Sequence, residues 1–213
     1  MPFTPGYDDI ALTSLSSGDY PQIHELMTRL NARFKQRKVS VSLPSLRVDE
    51  KLPELPPLMH AVRKGGFTIA PEGGSEEFRR IIRKPIRDVD LLETVRVAFR
   101  EGWHHVKMYF MIGFPMERDS DVDAIMDTAR RVSLAGKEAV GRYGDVNVTI
   151  SPLIPKPHTP FQFCGQREVA YVEDVERRLA SLARGSRVRL KAHDPRKSYI
   201  EGVFARGDAT TLT

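Results

Sequence analysis

KMYFMIGFPME, residues 107–117, is the stretch that decides how this chain folds. Tyr109, Phe110, Met111 and Ile112 form a near-continuous apolar run, the pattern of a strand covered on both faces. Gly113 and Pro115 break the run. An acidic helix entry follows: Ser120 and Asp123 fit a capping box, with Val122, Ile125, Met126, Ala129 and Val132 at helical spacing behind it. The turn after a parallel strand's carboxyl end is where α/β folds bind ligands. Gly113 has no side chain to keep a flat ligand from the backbone. Taken alone, these residues fit an ordinary strand-to-helix turn better than a site.

The same unit recurs along the chain. Short strands are predicted at Ile10–Leu15, Val39–Leu43, Phe67–Ala70 and Val146–Ser151, each ending in a Gly- or Pro-marked turn or one of Ser, Gly and Asp. Ile23, Leu26, Met27, Leu30 and Phe34 form the buried face of a first helix, with Pro21 in its first turn. Ser75 fits an N-cap, followed by Phe78, Ile81 and Ile82 facing inward, while Arg79, Arg80, Arg83 and Lys84 lie on the outer face or near the helix end. A helix over about Val89–Glu101 buries Leu92, Val95 and Phe99, and Val169, Val172, Val175, Leu179 and Leu182 mark a longer one. Arg187–Ala192 is expected as a separate sixth strand and Ser198–Ala205 as a last short helix. Strand then helix, five times over, predicts an α/β fold: a curved or closed parallel sheet with helices outside and all five turns on one edge.

Composition narrows the function classes. The chain has 213 residues, 40% hydrophobic and 29% charged, enough for a sizeable core. No apolar run approaches the ~20 residues of a membrane span, and MPFTPGYDD lacks the basic and apolar regions of a signal peptide. Net charge is +5, which permits an anionic ligand or RNA without demanding either. The single cysteine, Cys164, excludes an internal disulfide framework and an all-cysteine metal site, and a cytoplasmic setting fits it. The six histidines show no H-E-x-x-H spacing, and no phosphate-loop or nucleophile-elbow motif occurs.

Five stretches together resemble the radical S-adenosylmethionine (radical SAM) enzymes, and most closely their cobalamin-binding-type and methylthiotransferase-like branches. They are TSLSSGDYP (13–21), SLPSLRVD (42–49), FTIAPEGGSEEFRRIIRKPI (67–86), MYFMIGFPME (108–117) and SPLIPKPHTPFQ (151–162). The resemblance implies a partial TIM-like barrel of six β/α units. Here it lacks its first unit, over residues 1–165, and residues 166–213 form a small helix-strand-helix extension. It implies that Ser17, Gly18 and Asp19 hold the methionyl amine of SAM, although Ser16 and Ser17 stand where the family has Gly-Gly. Glu72 and Ser75 would contact its ribose and amino-acid parts. Arg47 and Arg83 are candidates for its carboxylate, since Arg binds carboxylates bidentately. Gly113, Phe114 and Pro115 would face adenine, with Leu153 and Ile154 flanking the same ring. Each also has a plain structural reading: a helix N-cap for Asp19, core packing for Phe114, solvated surface for the arginines.

The family's reaction requires three cysteines, spaced C-x-x-x-C-x-x-C, that ligate a [4Fe-4S] cluster whose electron cleaves SAM to a 5′-deoxyadenosyl radical. One cysteine cannot replace them. The resemblance therefore implies a member truncated before its cluster loop, inactive by itself, with the cysteines on a missing N-terminal segment or a separate chain. It assigns no catalytic residue and no metal ligand within the chain. Cobalamin is a further possible cofactor, and the substrate is not legible. Two other readings stay open: a degenerate module that binds SAM or a partner without catalysis, and an RNA-binding protein suggested by the pI and by Arg79–Lys84.

Overall fold

The computed structural model describes residues 9–12, 20–34, 39–42 and 66–207. Within them, β3 (Phe67–Glu72), β4 (His105–Ile112), β5 (Asp145–Pro152) and β6 (Val188–Ala192) lie side by side in chain order, every pair parallel. β1 (Asp9–Ala11) and β2 (Ser40–Ser42) make a second, two-stranded parallel sheet. A parallel neighbour must be reached by a crossover, and helices supply each one. α1 (Ile23–Phe34) lies between β1 and β2, α2 (Glu76–Ile81) and α3 (Asp88–Arg100) between β3 and β4, and α4 (Asp119–Val140) between β4 and β5. α5 (Val169–Ala183) leads from β5 to β6, and α6 (Pro195–Arg206) follows. A strand order that never reverses is that of a barrel wall, with no topological switch point. This is an α/β fold consistent with a partial TIM-like barrel.

The four-stranded sheet buries one face. In β4, Val106, Met108, Phe110 and Ile112 are buried while His105, Lys107 and Tyr109 are exposed. β5 alternates in the same way, with Val146, Val148 and Ile150 inside. The buried side chains share one core with Leu91, Val95 and Phe99 of α3, Val122, Ile125, Met126 and Ala129 of α4, and Val172 and Leu179 of α5. Ile23 and Met27 of α1 and Val41 of β2 join that core, so the two sheets are bridged by packing rather than by a shared ladder. Each large apolar side chain contributes roughly 1.5–3 kcal/mol on burial.

Several sequence expectations are corrected here. β4 is not covered on both faces: Tyr109 is 42% exposed and Phe110 1%, because α3, α4 and α5 pack against the Phe110 face. The sixth strand is not separate, since β6 pairs in parallel with β5 over Val146–Ile150. In α3 the buried leucine is Leu91, with Leu92 only partly covered. α2 is rotated from its expected face: Arg79 is fully buried and Ile81 exposed. α4 starts two residues earlier than the Ser120 box, with Arg118 as N-cap and its N–H bonded to Asp121, and runs on to a left-handed Gly141.

Candidate functional site

Three strand exits meet on one edge of the four-stranded sheet. β3 leaves through Pro71–Ser75. Its register against β4 shifts between Ile69 and Glu72, so that Glu72 lies opposite Phe110. Glu72 has φ +67, a left-handed conformation that non-glycine residues seldom adopt and that costs of order 1–3 kcal/mol. Its carboxylate pairs with the ammonium of Lys84, which reaches back from beyond α2. Arg83, one residue earlier, also has a positive φ (+59) and is exposed.

The loop behind Glu72 is fixed from two directions. Arg79 donates to the carbonyls of Gly74 (2.9 Å), Gly73 (3.3 Å) and Ile86 (2.8 Å), and to the Asp88 carboxylate. From α4, Thr128 Oγ1 donates to the Gly74 carbonyl at 3.1 Å. A Cβ at Gly74 would stand 2.1 Å from the Asp121 carbonyl, so only glycine lets α4 approach this closely. Ser75 is the N-cap of α2, accepting from Phe78 N (3.0 Å) while its hydroxyl donates to Asp121 Oδ1 (2.6 Å). Burial pushes the Asp121 carboxyl up, but its hydrogen bonds from Arg118 and Ser75 outweigh this and hold it below the usual carboxylate range.

β4 leaves through Gly113, at φ +87. Phe114 turns inward and is 3% exposed, its ring edge-on to Phe78 (5.3 Å between centroids) and Phe161 (5.5 Å). Leu153, after β5, completes this small apolar cluster, and its N–H donates to the Ile112 carbonyl at 2.8 Å. Ile154 is half-buried and Pro115 exposed. Thus Glu72, Ser75, Gly113, Phe114, Leu153 and Ile154 share one edge. Pro115 stands at its surface, and Arg83 lies beyond α2. Ser17, Gly18, Asp19 and Arg47 lie outside the described residues.

Two residues of this edge were not singled out by sequence reasoning. Glu117 Oε2 accepts the Gly113 N–H at 2.6 Å and the Tyr171 hydroxyl, from α5, at 3.3 Å. Burial pushes Glu117 up to about 7, with the nearby Asp121 charge adding to the shift and the two hydrogen bonds and Arg167 opposing it. Tyr171 is likewise pushed up to about 12, by burial first and then by the Glu117 charge. The signal for Glu117 was its place in the opening stretch, four residues after Gly113. Nothing in the sequence pointed to Tyr171, which comes 54 residues after its partner.

The open face of the sheet runs up to this edge. The β4–β5–β6 register sets Lys107 beside Asn147 and Arg189, and Tyr109 beside Thr149 and Lys191. A cavity of about 370 Å³, lined by Phe99, His104, Tyr143, Asp145 and Arg187, lies instead at the opposite, amino-terminal ends of β4, β5 and β6. Among the described residues no three His, Cys, Asp or Glu side chains gather where they could hold a metal ion. No helix among them is long and apolar enough to cross a membrane.

Comparison with known proteins places the chain in a family. An uncharacterized protein of Methanocaldococcus jannaschii is 30% identical over 204 residues, which cover 93% of this chain and 41% of that protein. The chain thus spans about two fifths of the relative's length. The family model described as the Radical SAM superfamily matches residues 3–129, more than half of the sequence and through both the Glu72 and Gly113 turns. The chain belongs to the radical SAM superfamily.

Proposed function

We propose that this chain is the SAM-binding wall of a radical SAM enzyme from the cobalamin-binding-type, methylthiotransferase-like part of the superfamily. The observation that carries the reading is the delivery of Glu72, Gly113–Phe114 and Leu153–Ile154 to one edge by three consecutive parallel strands. The donor set suits SAM. A carboxylate at Glu72 can accept both ribose hydroxyls, as in dinucleotide sites. Beside the Gly113 turn stands an apolar wall of Phe114, Leu153 and Ile154, which excludes water from a purine. Ser17, Gly18 and Asp19 are assigned to the methionyl amine, with Pro115 and Ser75 bordering the nucleoside. Arg47 or Arg83 would take the carboxylate. When bound, SAM supplies the sulfonium whose reductive cleavage starts the family's radical chemistry.

The residues do not fit a [4Fe-4S] cluster. Cys164 is the one cysteine, and a cluster of this type needs three thiolates from its protein. Its ligands would therefore come from outside these 213 residues, on another segment or another chain, in a reducing cytoplasmic setting. A second reading rests on the same count: a SAM-binding module that acts through a partner without radical chemistry. Cobalamin and the substrate remain assignments for the whole protein.

Titration calorimetry with SAM tests the edge. The chain is expected to bind SAM, and Glu72→Ala should weaken binding by about tenfold, the loss of a charge-assisted hydrogen-bonded contact. Unchanged affinity in Glu72→Ala overturns the assignment. Anaerobic reconstitution with iron and sulfide separates the two readings. The chain alone should stay colourless, and a chain or segment bearing C-x-x-x-C-x-x-C should restore both the cluster and SAM cleavage. Failure to find such cysteines in the native assembly favours the module.

A further inference from the structure

We propose that Glu117 and Tyr171 form a positioning clamp that holds the Gly113 turn from α5, so that the helix after β5 helps to build the SAM-facing edge. The proposal rests on the SAM reading of that edge for its effect on binding, but the clamp itself can be tested without ligand.

The geometry is specific. One oxygen, Glu117 Oε2, takes both donors: the Gly113 N–H at 2.6 Å and the Tyr171 hydroxyl at 3.3 Å. Arg167, just before α5, closes the third side. Its Cγ would lie 3.0 Å from a Cβ at Gly113, and its guanidinium sits 4.9 Å from the centre of the Tyr171 ring. Gly113 at φ +87 is therefore bounded by its own helix entry on one side and by the α5 segment on the other. A turn in this conformation is not held by the β4 ladder, since β4 ends at Ile112.

The clamp also responds to protonation. The charged groups around Glu117 are Asp121 on α4, which disfavours ionisation, and Arg167, which favours it; Asp119 acts on Tyr171. A neutral Glu117 can carry its proton on Oε1 and keep both contacts on Oε2. An ionised Glu117 is poorly hydrated in the closed clamp and better hydrated in an open one, so ionisation favours opening. With the group raised from 4.5 to about 7 in the closed clamp, the clamp is tightest below the ordinary value, loosens as pH rises toward about 7 and levels off above it.

Amide hydrogen exchange at Gly113 in the full chain is the test, paired with SAM calorimetry. Protection at Gly113, corrected for intrinsic rate, should fall about tenfold in Glu117→Ala, which removes both hydrogen bonds, and several-fold in Tyr171→Phe, which removes one. Glu117→Gln, which keeps an acceptor oxygen without charge, should retain protection. Between about pH 5 and about pH 7 the parent's protection should fall and then level off, and that of Glu117→Gln should stay level throughout. SAM affinity should follow the same order. Tyr171→Phe keeps the ring and decides the matter if Glu117→Ala fails to fold. Parent-like protection in Tyr171→Phe, or coincident pH profiles for parent and Glu117→Gln, overturns the clamp. Absence of SAM binding by the parent overturns the SAM reading instead, and the exchange data still decide the clamp.

Discussion

The guanidinium of Arg79, wholly withdrawn from solvent, donates to the Gly74 carbonyl at 2.9 Å and so ties α2 to the loop it follows. The same side chain reaches Gly73, Ile86 and Asp88, so one cation satisfies three carbonyls and a carboxylate. Arg79→Met should destabilise the chain by about 2–4 kcal/mol, because it takes the donor from the Gly73 and Ile86 carbonyls and leaves Gly74 and Asp88 to Thr128 and Arg131 alone. Chemical denaturation measures it. Arg79→Lys should recover only a part, since an ammonium cannot match the guanidinium fork. A loss below about 1 kcal/mol in Arg79→Met would show that the loop holds itself.

Glu117 sets how stability varies with pH near neutrality. Its folded value of about 7 lies above the ordinary 4.5. A group raised on folding contributes stability that is fully present below the ordinary value and lost as pH rises through the folded one. Glu117→Gln should therefore match the parent on the acid side and exceed it above pH ~8 by on the order of 1–3 kcal/mol. Denaturant midpoints across that range check the sign. A parent that gains stability relative to Glu117→Gln as pH rises would contradict the buried-carboxylate account.

Asp121 works in the opposite sense. Hydrogen bonds from Arg118 and Ser75 hold its carboxyl below the usual range despite burial, so its contribution is present at neutral pH and lost on acidification. Asp121→Asn should cost about 1–3 kcal/mol at neutral pH, the range for hydrogen bonds to a charged group, and little once the parent's carboxyl is protonated. Thermal melts at neutral and acid pH distinguish this from a loss of packing, which would not depend on pH.

Gly74 tests the approach of α4 to the β3 exit. A methyl there would meet the Asp121 carbonyl at 2.1 Å and the Ile125 N at 2.6 Å, both backbone atoms that cannot swing away. Gly74→Ala should cost about 1–3 kcal/mol by overpacking and should weaken SAM binding, since it moves the loop that carries Glu72. Equal melting temperatures in parent and variant would mean that the loop lifts from α4 freely.

What the sequence revealed follows physical lines. The strands β3, β4 and β5 and the Ser75 cap were legible because turn residues and apolar runs are local signals. The single-sided burial of β4 was not, because Tyr109, Phe110, Met111 and Ile112 are all apolar and hide the alternation that the helices impose. Arg79 was read as surface because it sits among Arg80, Arg83 and Lys84. Only the carbonyls of Gly73, Gly74 and Ile86, brought together by the fold, make it a core residue. Of the edge, the strand exits at Gly113 and at Pro71–Gly74 were legible from their turn residues. The link from Glu117 to Tyr171 depends on α5 returning past β4, which no local pattern encodes.

The register shift in β3 makes the rim of the sheet a stair. Three residue steps along β3, from Ile69 to Glu72, run alongside only two along β4, from Met108 to Phe110. β4 continues past that level to Ile112, where it is still paired with Pro152 of β5. At a rise of ~3.3 Å per residue, the Glu72 step lies about 10 Å below the Gly113 and Leu153 step. A molecule that touches both steps must lie tilted across the sheet, its polar part down at Glu72 and its flat, apolar part up against Gly113 and Leu153. Deleting one residue between Ile69 and Glu72 would change the height of the lower step and the direction in which its carboxylate points.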